Sequence, residues 1–398
     1  MRISFVIPYF YPALEYGGTP RVAYEFARSL VRRGHAVTVL TTDSGGHKRI
    51  ERDELALIEE GGIEGIQLVY YPNLSNYLAY KQRLFFPLEL FHRIRRQLSS
   101  SDVVHIHEFR SLLSVAAHSA VRSLNIPYVI SPHGGLQRLG KVWLKSVFDR
   151  FWGNRILKDA AAVCAVSPLE EQDAAQFGVE YERIHPFPNP IDADYYRQLP
   201  ERGRFIEKWN LRNKRVVLFL GRLHWIKGID VLIDSVALIK DIPDIHLVIA
   251  GPDDGAAAAL RSRVLKNGIG DRITFTGFLN DPQKLEALVD SDVVVVPSRR
   301  EGFPGTALEA LAAARPVVLS SMCGLVSWIP GRSAMTIFRS GDAKDLAQKM
   351  GAVLRSGCNP TDLSNARNLV LDEFSADAMA AKAEALYQSV ISPKERVH

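Results

Sequence analysis

Val293-Val-Val-Val296-Pro-Ser-Arg-Arg-Glu301-Gly-Phe-Pro-Gly-Thr-Ala-Leu-Glu309-Ala-Leu311 decides how this chain is read. The valine run stops at Pro297 and Ser298. A loop with Gly302, Pro304 and Gly305 follows, then a helical pattern from Thr306 to Ala314. A short, wholly apolar run bounded in this way predicts a parallel strand buried on both faces, a tight turn and a helix N-terminus. Such a terminus offers unpaired amides and a positive dipole end, which suits a phosphate. Glu301 and Glu309 bracket it, with seven residues between them. Carboxylates repel phosphate but accept hydrogen bonds from hydroxyls. A phosphate site between two hydroxyl acceptors fits a sugar nucleotide.

The same alternation runs through the rest of the chain. Ile3–Ile7 predicts a strand, Pro8 to Gly18 a loop, and Val22, Phe26 and Leu30 one face of a helix that ends at Gly34. Ala36–Thr41 is the next strand, which completes a βαβ unit. Further strands are expected at Val103–His107, Tyr128–Ser131 and Ala161–Val166. Pro186, Pro188 and Pro190 break Arg183–Ile191, and the polar Asp192–Arg204 follows, so the domain junction is expected there. A second series starts at Arg215–Gly221 and continues at His246–Gly251, Arg272–Thr276, Asp292–Val296 and Pro316–Leu319. Asp342 and Ser375 each read as a helix cap. The fold class is therefore α/β, with two Rossmann-like domains, 1–190 and 191–374, joined by a Pro-rich hinge. Ligands of such sheets lie beyond the carboxyl ends of the strands, so the two domains are expected to face each other across one cleft.

Composition narrows the function classes. The chain has 398 residues, 47% hydrophobic and 23% charged, with a net charge of +5. That balance is ordinary for a globular protein. It admits an anionic ligand or an acidic membrane surface, but nucleic acid calls for a denser basic stripe. Cys164, Cys323 and Cys358 are too scattered for a zinc site and odd in number, as expected of a reducing compartment. The first residues lack the apolar length of a signal peptide, and no run of about 18 apolar residues suggests a membrane span.

Several residues stand where such a fold presents its ligands. Arg222 and Lys227 follow the first strand of the second series, in Gly221-Arg222-Leu-His-Trp-Ile-Lys227-Gly228. An arginine fork and a lysine point charge are complementary to a diphosphate. His133, in Ser131-Pro-His-Gly-Gly135, follows a strand of the first series and is a cleft candidate. His105 and His107 share one face of a strand. His107 with Glu108 reads as a cleft-rim pair, whereas His105 reads as a hydrogen-bonded core residue. Gly17-Gly18 brings backbone amides to a second phosphate or simply turns the chain into a helix. Arg21 meets an acceptor charge or solvent. The loop through Leu279 covers a flat base or is an ordinary connection. Asp253-Asp254 resembles a metal-binding pair, and a solvated loop explains it equally.

Taken together, Gly17-Gly18, Gly221-Arg222 with Lys227-Gly228, and the Glu301/Glu309 pair resemble the retaining GT-B glycosyltransferases of the GT4 type, the glycosyl transferases group 1. Pro188-Asn189-Pro190-Ile191-Asp192 is similar to that family's interdomain Asn-Gly-Val-Asp segment, with Pro190 in place of the usual glycine. The resemblance implies that Arg222 and Lys227 hold the donor diphosphate and that Glu309 accepts the ribose hydroxyls. Glu301 would accept hydroxyls of the transferred sugar. The backbone of Phe303, Pro304, Gly305 and Thr306 would lie near sugar and phosphate, and His133 beside the sugar. It implies a C-terminal helix, about 375–398, that returns to the first domain. Transfer with retention is expected to need no cofactor and no metal, because Arg222, Lys227 and the Thr306 helix end stand where they would stabilise the leaving diphosphate. It is usually written with front-side attack, in which the leaving phosphate takes the acceptor proton. Expected partners are a nucleoside diphosphate sugar and a glycan or lipid-linked acceptor of cell-envelope polysaccharide synthesis.

Two stretches bear on location. Tyr77–Leu98 and Lys141–Lys158 mix aromatics with cations, and each reads either as a basic amphipathic helix on anionic lipid or as a core-facing helix with a solvated back. The expected place is the cytoplasm, with peripheral contact at the inner face of the cytoplasmic membrane. The rival readings are a sugar-nucleotide epimerase or a phosphorolytic enzyme on the same plan, and a non-catalytic sugar-nucleotide-binding protein.

Overall fold

A computed structural model of the chain describes residues 1–138, 142–329 and 334–392, apart from the side chain of Leu14. The chain divides into two compact units, Met1–Pro190 with the residues from Ala376 on, and Ile191–Ser375.

The first unit is built on seven parallel strands, β1 (Arg2–Val6), β2 (Ala36–Thr42), β3 (Gln67–Tyr71), β4 (Val103–His107), β5 (Tyr128–Ser131), β6 (Ala162–Ala165) and β7 (Ile184–Pro186). Their order is β3-β2-β1-β4-β5-β6-β7. The order reverses between β1 and β4, so the loops after those two strands are neighbours at the end where ligands of such sheets bind. Side-chain alternation sends Ile3 and Phe5 to one face of the sheet and Val6 to the other. The first face is covered by Phe26 and Leu30 of the Gly18–Arg32 helix and by Met379, Ala383 and Tyr387 of the Ala376–Ile391 helix. The second face is covered by Leu90, Ile94, Leu113, Ile156 and Leu157 from helices that follow β3, β4 and β5.

The second unit repeats the plan with β8 (Arg215–Leu220), β9 (Ile245–Ala250), β10 (Ile273–Gly277), β11 (Val293–Val296), β12 (Val317–Ser320) and β13 (Met335–Phe338). The order is β10-β9-β8-β11-β12-β13, and every pairing is parallel. β8 and β11 lie side by side at the reversal, with Val293 opposite Val217. The valine run is buried throughout, as a strand covered on both faces requires. The two Rossmann-like sheets read from the sequence are both present.

Three strands were not foreseen. β3 and β13 are five- and four-residue edge strands in which Gln67 and Thr336 dilute the apolar signal. β7 ends on Pro186 inside the proline-rich segment. A proline is tolerated there because β7 is the outermost strand and Pro186 its last residue. The expected Thr306–Ala314 helix runs Gly305–Ala312. Tyr77–Leu98 holds two helices, Asn76–Gln82 and Leu90–Leu98, because Arg83 adopts a left-handed conformation (φ 56°) that ends the first.

The Ala376–Ile391 helix is last in sequence yet supplies fully buried Met379 and Tyr387 to the first unit. Met379→Ala should cost about 2–5 kcal/mol through lost burial and a residual cavity. A lower urea midpoint for the first unit's unfolding would show it, and an unchanged midpoint would place that helix outside the core.

Candidate functional site

In the second unit, the loops after β8 and β11 meet. Lys227 ends a single turn, Trp225–Lys227, and Gly228 follows with φ 65°. A Cβ on Gly228 would lie 2.1 Å from the Pro297 carbonyl oxygen. Only glycine lets the β8 loop approach the end of β11 this closely. The approach brings Lys227 Nζ to 2.6 Å from Glu301 Oε1, while the Ser298 hydroxyl donates to Glu301 Oε2 at 2.5 Å. Thr306 Oγ1 donates to the Leu220 carbonyl at 3.3 Å and so fixes the start of the Gly305–Ala312 helix beside the end of β8. Pro304 occupies the cap position of that helix and supplies no side-chain cap. An uncapped helix start beside a lysine and an arginine is suited to an anion.

Glu301 is tuned by these neighbours. Burial by itself would raise the Glu301 carboxyl, but Lys227, Ser298 and Arg222 outweigh it and hold the group below the ordinary carboxylate range. Glu309 lies three residues beyond Thr306, hence on the same side of the helix. Its Oε1 is held at 2.6 Å by Lys284 of the Asp281–Asp290 helix. Arg222 pairs with Asp254. Asp253 accepts from the amides of Gly255, Ala256 and Ala257. The acidic pair is thus spent on a turn and an arginine. Among the described residues no cluster of His, Cys, Asp or Glu is placed to hold a metal ion. The Phe303 ring is buried and stacks toward Phe374 at 6.2 Å, which leaves its main chain for the loop. Leu279 is half-buried, beside an exposed Phe278.

In the first unit, Gly17 caps the Gly18–Arg32 helix without a side-chain bond, and Arg21 is half-buried in its first turn. His133 sits at the tip of a turn closed by the Gly135 amide donating to the Pro132 carbonyl at 2.8 Å, with φ 53° at His133 and 80° at Gly134. The Gly134 amide donates to Glu170 Oε1 at 2.6 Å, and the Val166 amide to Oε2 at 3.0 Å. Burial pushes the Glu170 carboxyl up to about 7 against those two amides. His133 Nδ1 lies 3.0 Å from Asn189 Oδ1, and its Nε2 lies 2.9 Å from His107 Nδ1.

His107, expected at a cleft rim, is instead 2% exposed. It faces the same side of β4 as Val103 and is covered by Phe5 and Phe26. Strand alternation could not say which face was the closed one. His105 is a hydrogen-bonded core residue, between Tyr387 and Ser131. Glu108 is half-buried and accepts from the Tyr9 hydroxyl. Burial raises its carboxyl, while Tyr9 and Arg83 oppose the rise. The Arg83 guanidinium lies 4.5 Å over the Tyr16 ring, which stacks on Tyr9 at 4.3 Å.

Ser298, Lys284, Glu170, Tyr9 and Arg83 were not singled out from the sequence as site residues. Apart from Ser298, which bonds Glu301 within its own loop, each acts through a partner on another element, so no spacing announces it. The two basic stretches carry more exposed apolar surface than a core-facing helix would. Trp143 is 69% exposed and Phe151 60%, with Tyr77 at 69% and Phe91 at 58%. Asp149, the one acid in 142–158, is buried against Arg110 and Arg138, which leaves the surface of that stretch cationic. Lys141 lies outside the described residues. No described helix is long and apolar enough to cross a membrane.

Replacing Lys227 with Met should reverse the shift of Glu301. Burial would remain and the attraction would go, so the carboxyl should titrate above the ordinary range. In the wild type, the stabilisation from this depressed group is complete above the unfolded carboxylate value and is lost as pH falls through the folded one. A carboxyl carbon NMR titration of both proteins checks the reversal. An unmoved Glu301 would remove Lys227 as the cause.

Known proteins resemble the chain in sequence and in fold. A family model described as glycosyl transferases group 1 matches residues 214–356, and one described as glycosyltransferase family 4 matches residues 16–195. The chain is 25% identical to an uncharacterized glycosyltransferase of Methanocaldococcus jannaschii, over 98% of both chains. It is 26% identical to the 2-deoxystreptamine glucosyltransferase of Streptomyces kanamyceticus, over 93% of this chain and 98% of that one. In fold it is similar to Anabaena HepE, solved in complex with UDP and glucose, with a TM-score of 0.79 at 18% identity, covering 98% of this chain and all of that one. Two doubly wound sheets, a lysine and a glutamate joined at the strand-order reversal, and family models matched in both units lead to one assignment: the chain belongs to the group 1, GT4-type glycosyltransferases of the GT-B fold.

Proposed function

We propose that this protein transfers a hexosyl unit from a nucleoside diphosphate sugar to a hydroxyl of a glycan or lipid-linked acceptor, with retention of configuration and without a metal. The reading rests above all on Lys227 and Arg222 beside the uncapped start of the Gly305–Ala312 helix, with the Glu301 carboxylate in contact with the same lysine. Structures of the Anabaena neighbour with UDP and with UDP-glucose support a nucleotide-sugar donor.

In this reading Arg222 and Lys227 grip the diphosphate, and Glu309 accepts ribose hydroxyls. Glu301, held ionised, accepts hydroxyls of the sugar. As the bond from the anomeric carbon to the leaving oxygen breaks, negative charge grows on the phosphate. The two cations and the helix start are aimed at that charge before it forms. The acceptor oxygen bonds the anomeric carbon on the same face, and its proton passes to the departing phosphate. Lys227 and Glu301 neutralise each other at rest, so the donor's phosphate would replace Glu301 on the lysine and free the carboxylate for the sugar. Glu108 and Arg21 are assigned to the acceptor side. The exposed aromatics and cations of 142–158 support peripheral contact with an anionic membrane, which suits a lipid-linked acceptor in envelope polysaccharide synthesis.

Arg222→Ala and Lys227→Ala should each lower kcat by about 100- to 1,000-fold, the usual effect of removing one donor to a transition-state anion. Glu309→Ala should mainly raise the donor KM. Near-normal kinetics in all three would dismiss the site. The donor itself can be found by a thermal-shift screen of UDP-, GDP- and ADP-sugars. Transfer should persist in excess EDTA; loss restored by magnesium would end the metal-free account. Vesicles rich in anionic lipid should carry the protein upward in flotation, and Trp143→Ser with Phe151→Ser should abolish that. Equal flotation of the variant would dissociate the surface from lipid.

A further inference from the structure

His133 has both ring nitrogens engaged within its own unit. Nδ1 is 3.0 Å from Asn189 Oδ1, and Nε2 is 2.9 Å from His107 Nδ1. A neutral imidazole has one N–H and one lone pair. The Asn189 carbonyl oxygen only accepts, so the proton of His133 sits on Nδ1 and its Nε2 carries the lone pair. That lone pair needs a donor, which places the His107 proton on Nδ1 and leaves His107 Nε2 bare. His107 Nε2 is buried and has no partner among the described residues. The opposite arrangement needs Asn189 turned about and buries an N–H without an acceptor. Buried orphan donors are rarer than buried orphan acceptors.

The surroundings keep this arrangement from relaxing. The His107 ring stacks on His105, 4.1 Å away at 24°, and lies nearly coplanar with His133, with ring centres 5.2 Å apart at 11°, as an in-plane N–H···N bond requires. His105 is itself clamped, with Nδ1 2.6 Å from the Tyr387 hydroxyl and Nε2 2.7 Å from Ser131 Oγ. Phe5 packs on His107 with ring centres 4.5 Å apart. Burial favours the neutral form of all three rings: it lowers His133 to about 4 and His105 to about 3, and takes His107 well below the usual histidine range.

We propose that His107 is a positioning residue whose Nδ1–H locks His133 into the Nδ1-protonated tautomer and holds its ring in place for the donor sugar. The inference rests on the transferase reading for what His133 does, but not for how His133 is held. It has a chemical consequence. With Nε2 occupied by His107, His133 meets the sugar as a fixed neutral ring and does not take the acceptor proton, which agrees with transfer of that proton to the leaving phosphate. A histidine pair that merely filled the core would need steric bulk at position 107, but no N–H at Nδ1.

The test separates shape from the N–H. Long-range proton–nitrogen NMR on the wild type should show His133 as the single Nδ1-protonated tautomer. His107→Asn keeps an N–H near the Nδ1 position and should stay within about threefold of wild-type kcat. His107→Phe keeps a flat ring without the N–H. It should lower kcat by about 10- to 100-fold, the effect of removing an outer partner of a functional histidine, with the donor KM little changed and His133 in mixed tautomers. An Nε2-protonated His133 in the wild type, or equal kcat for the Asn and Phe variants, overturns the proposal. Should the Phe variant not fold, the wild-type tautomer and the Asn variant still decide. If no sugar nucleotide is turned over, the transferase reading fails, while the NMR result continues to judge His107.

Discussion

Lys227 and Glu301 belong to loops that follow neighbouring parallel strands, and their contact depends on how closely those loops approach. β8 and β11 are far apart in sequence and adjacent in the sheet because the strand order reverses between them. A side chain at position 228 would keep the loops apart, and glycine removes that obstacle. Once the two residues meet, each satisfies the other in a site where both are mostly removed from water, with 22% and 19% of their side chains exposed. An isolated charge there would be costly. The pair therefore keeps a cation and a carboxylate side by side at the ends of two adjacent strands.

The two units treat charge in opposite ways. In the Ile191–Ser375 unit each carboxylate of the site is matched by a cation, Glu301 by Lys227 and Glu309 by Lys284. In the first unit burial works against charge on the groups around His133. Three imidazoles lie together, His105 stacked on His107 and His107 bonded edge to edge with His133, without a counter-ion, and Glu170 is pushed up to about 7 while it holds the Gly134 amide. A neutral, hydrogen-bonded array is rigid because every departure strands a buried polar atom. That suits a strained turn, with left-handed backbone at both His133 and Gly134.

Much of this was legible in residue order. The valine run, the Gly221-Arg222 turn and the Glu301/Glu309 spacing report local geometry, and local geometry is what periodicity and turn chemistry encode. The edge strands β3, β7 and β13 were illegible for the same reason. They are short and lie at or near sheet margins, so their pattern is diluted by polar residues and, in β7, by a proline. The basic stretches also escaped, because the same composition serves a buried or an exposed face.

The sequence by itself determined the alternation of strand and helix, the positions of the loops that end in cations and carboxylates, and hence the family. Tertiary structure alone decided the partners. Lys284 on Glu309, Asp254 on Arg222, Asn189 and His107 on His133, and Tyr387 on His105 join residues separated by 25 to 282 positions. Such contacts are set by which strands lie side by side and which helix covers which face, and these are outcomes of packing the whole sheet. Which face of β4 is closed follows from the docking of the Gly18–Arg32 and Ala376–Ile391 helices, and that docking made His107 a buried support for His133.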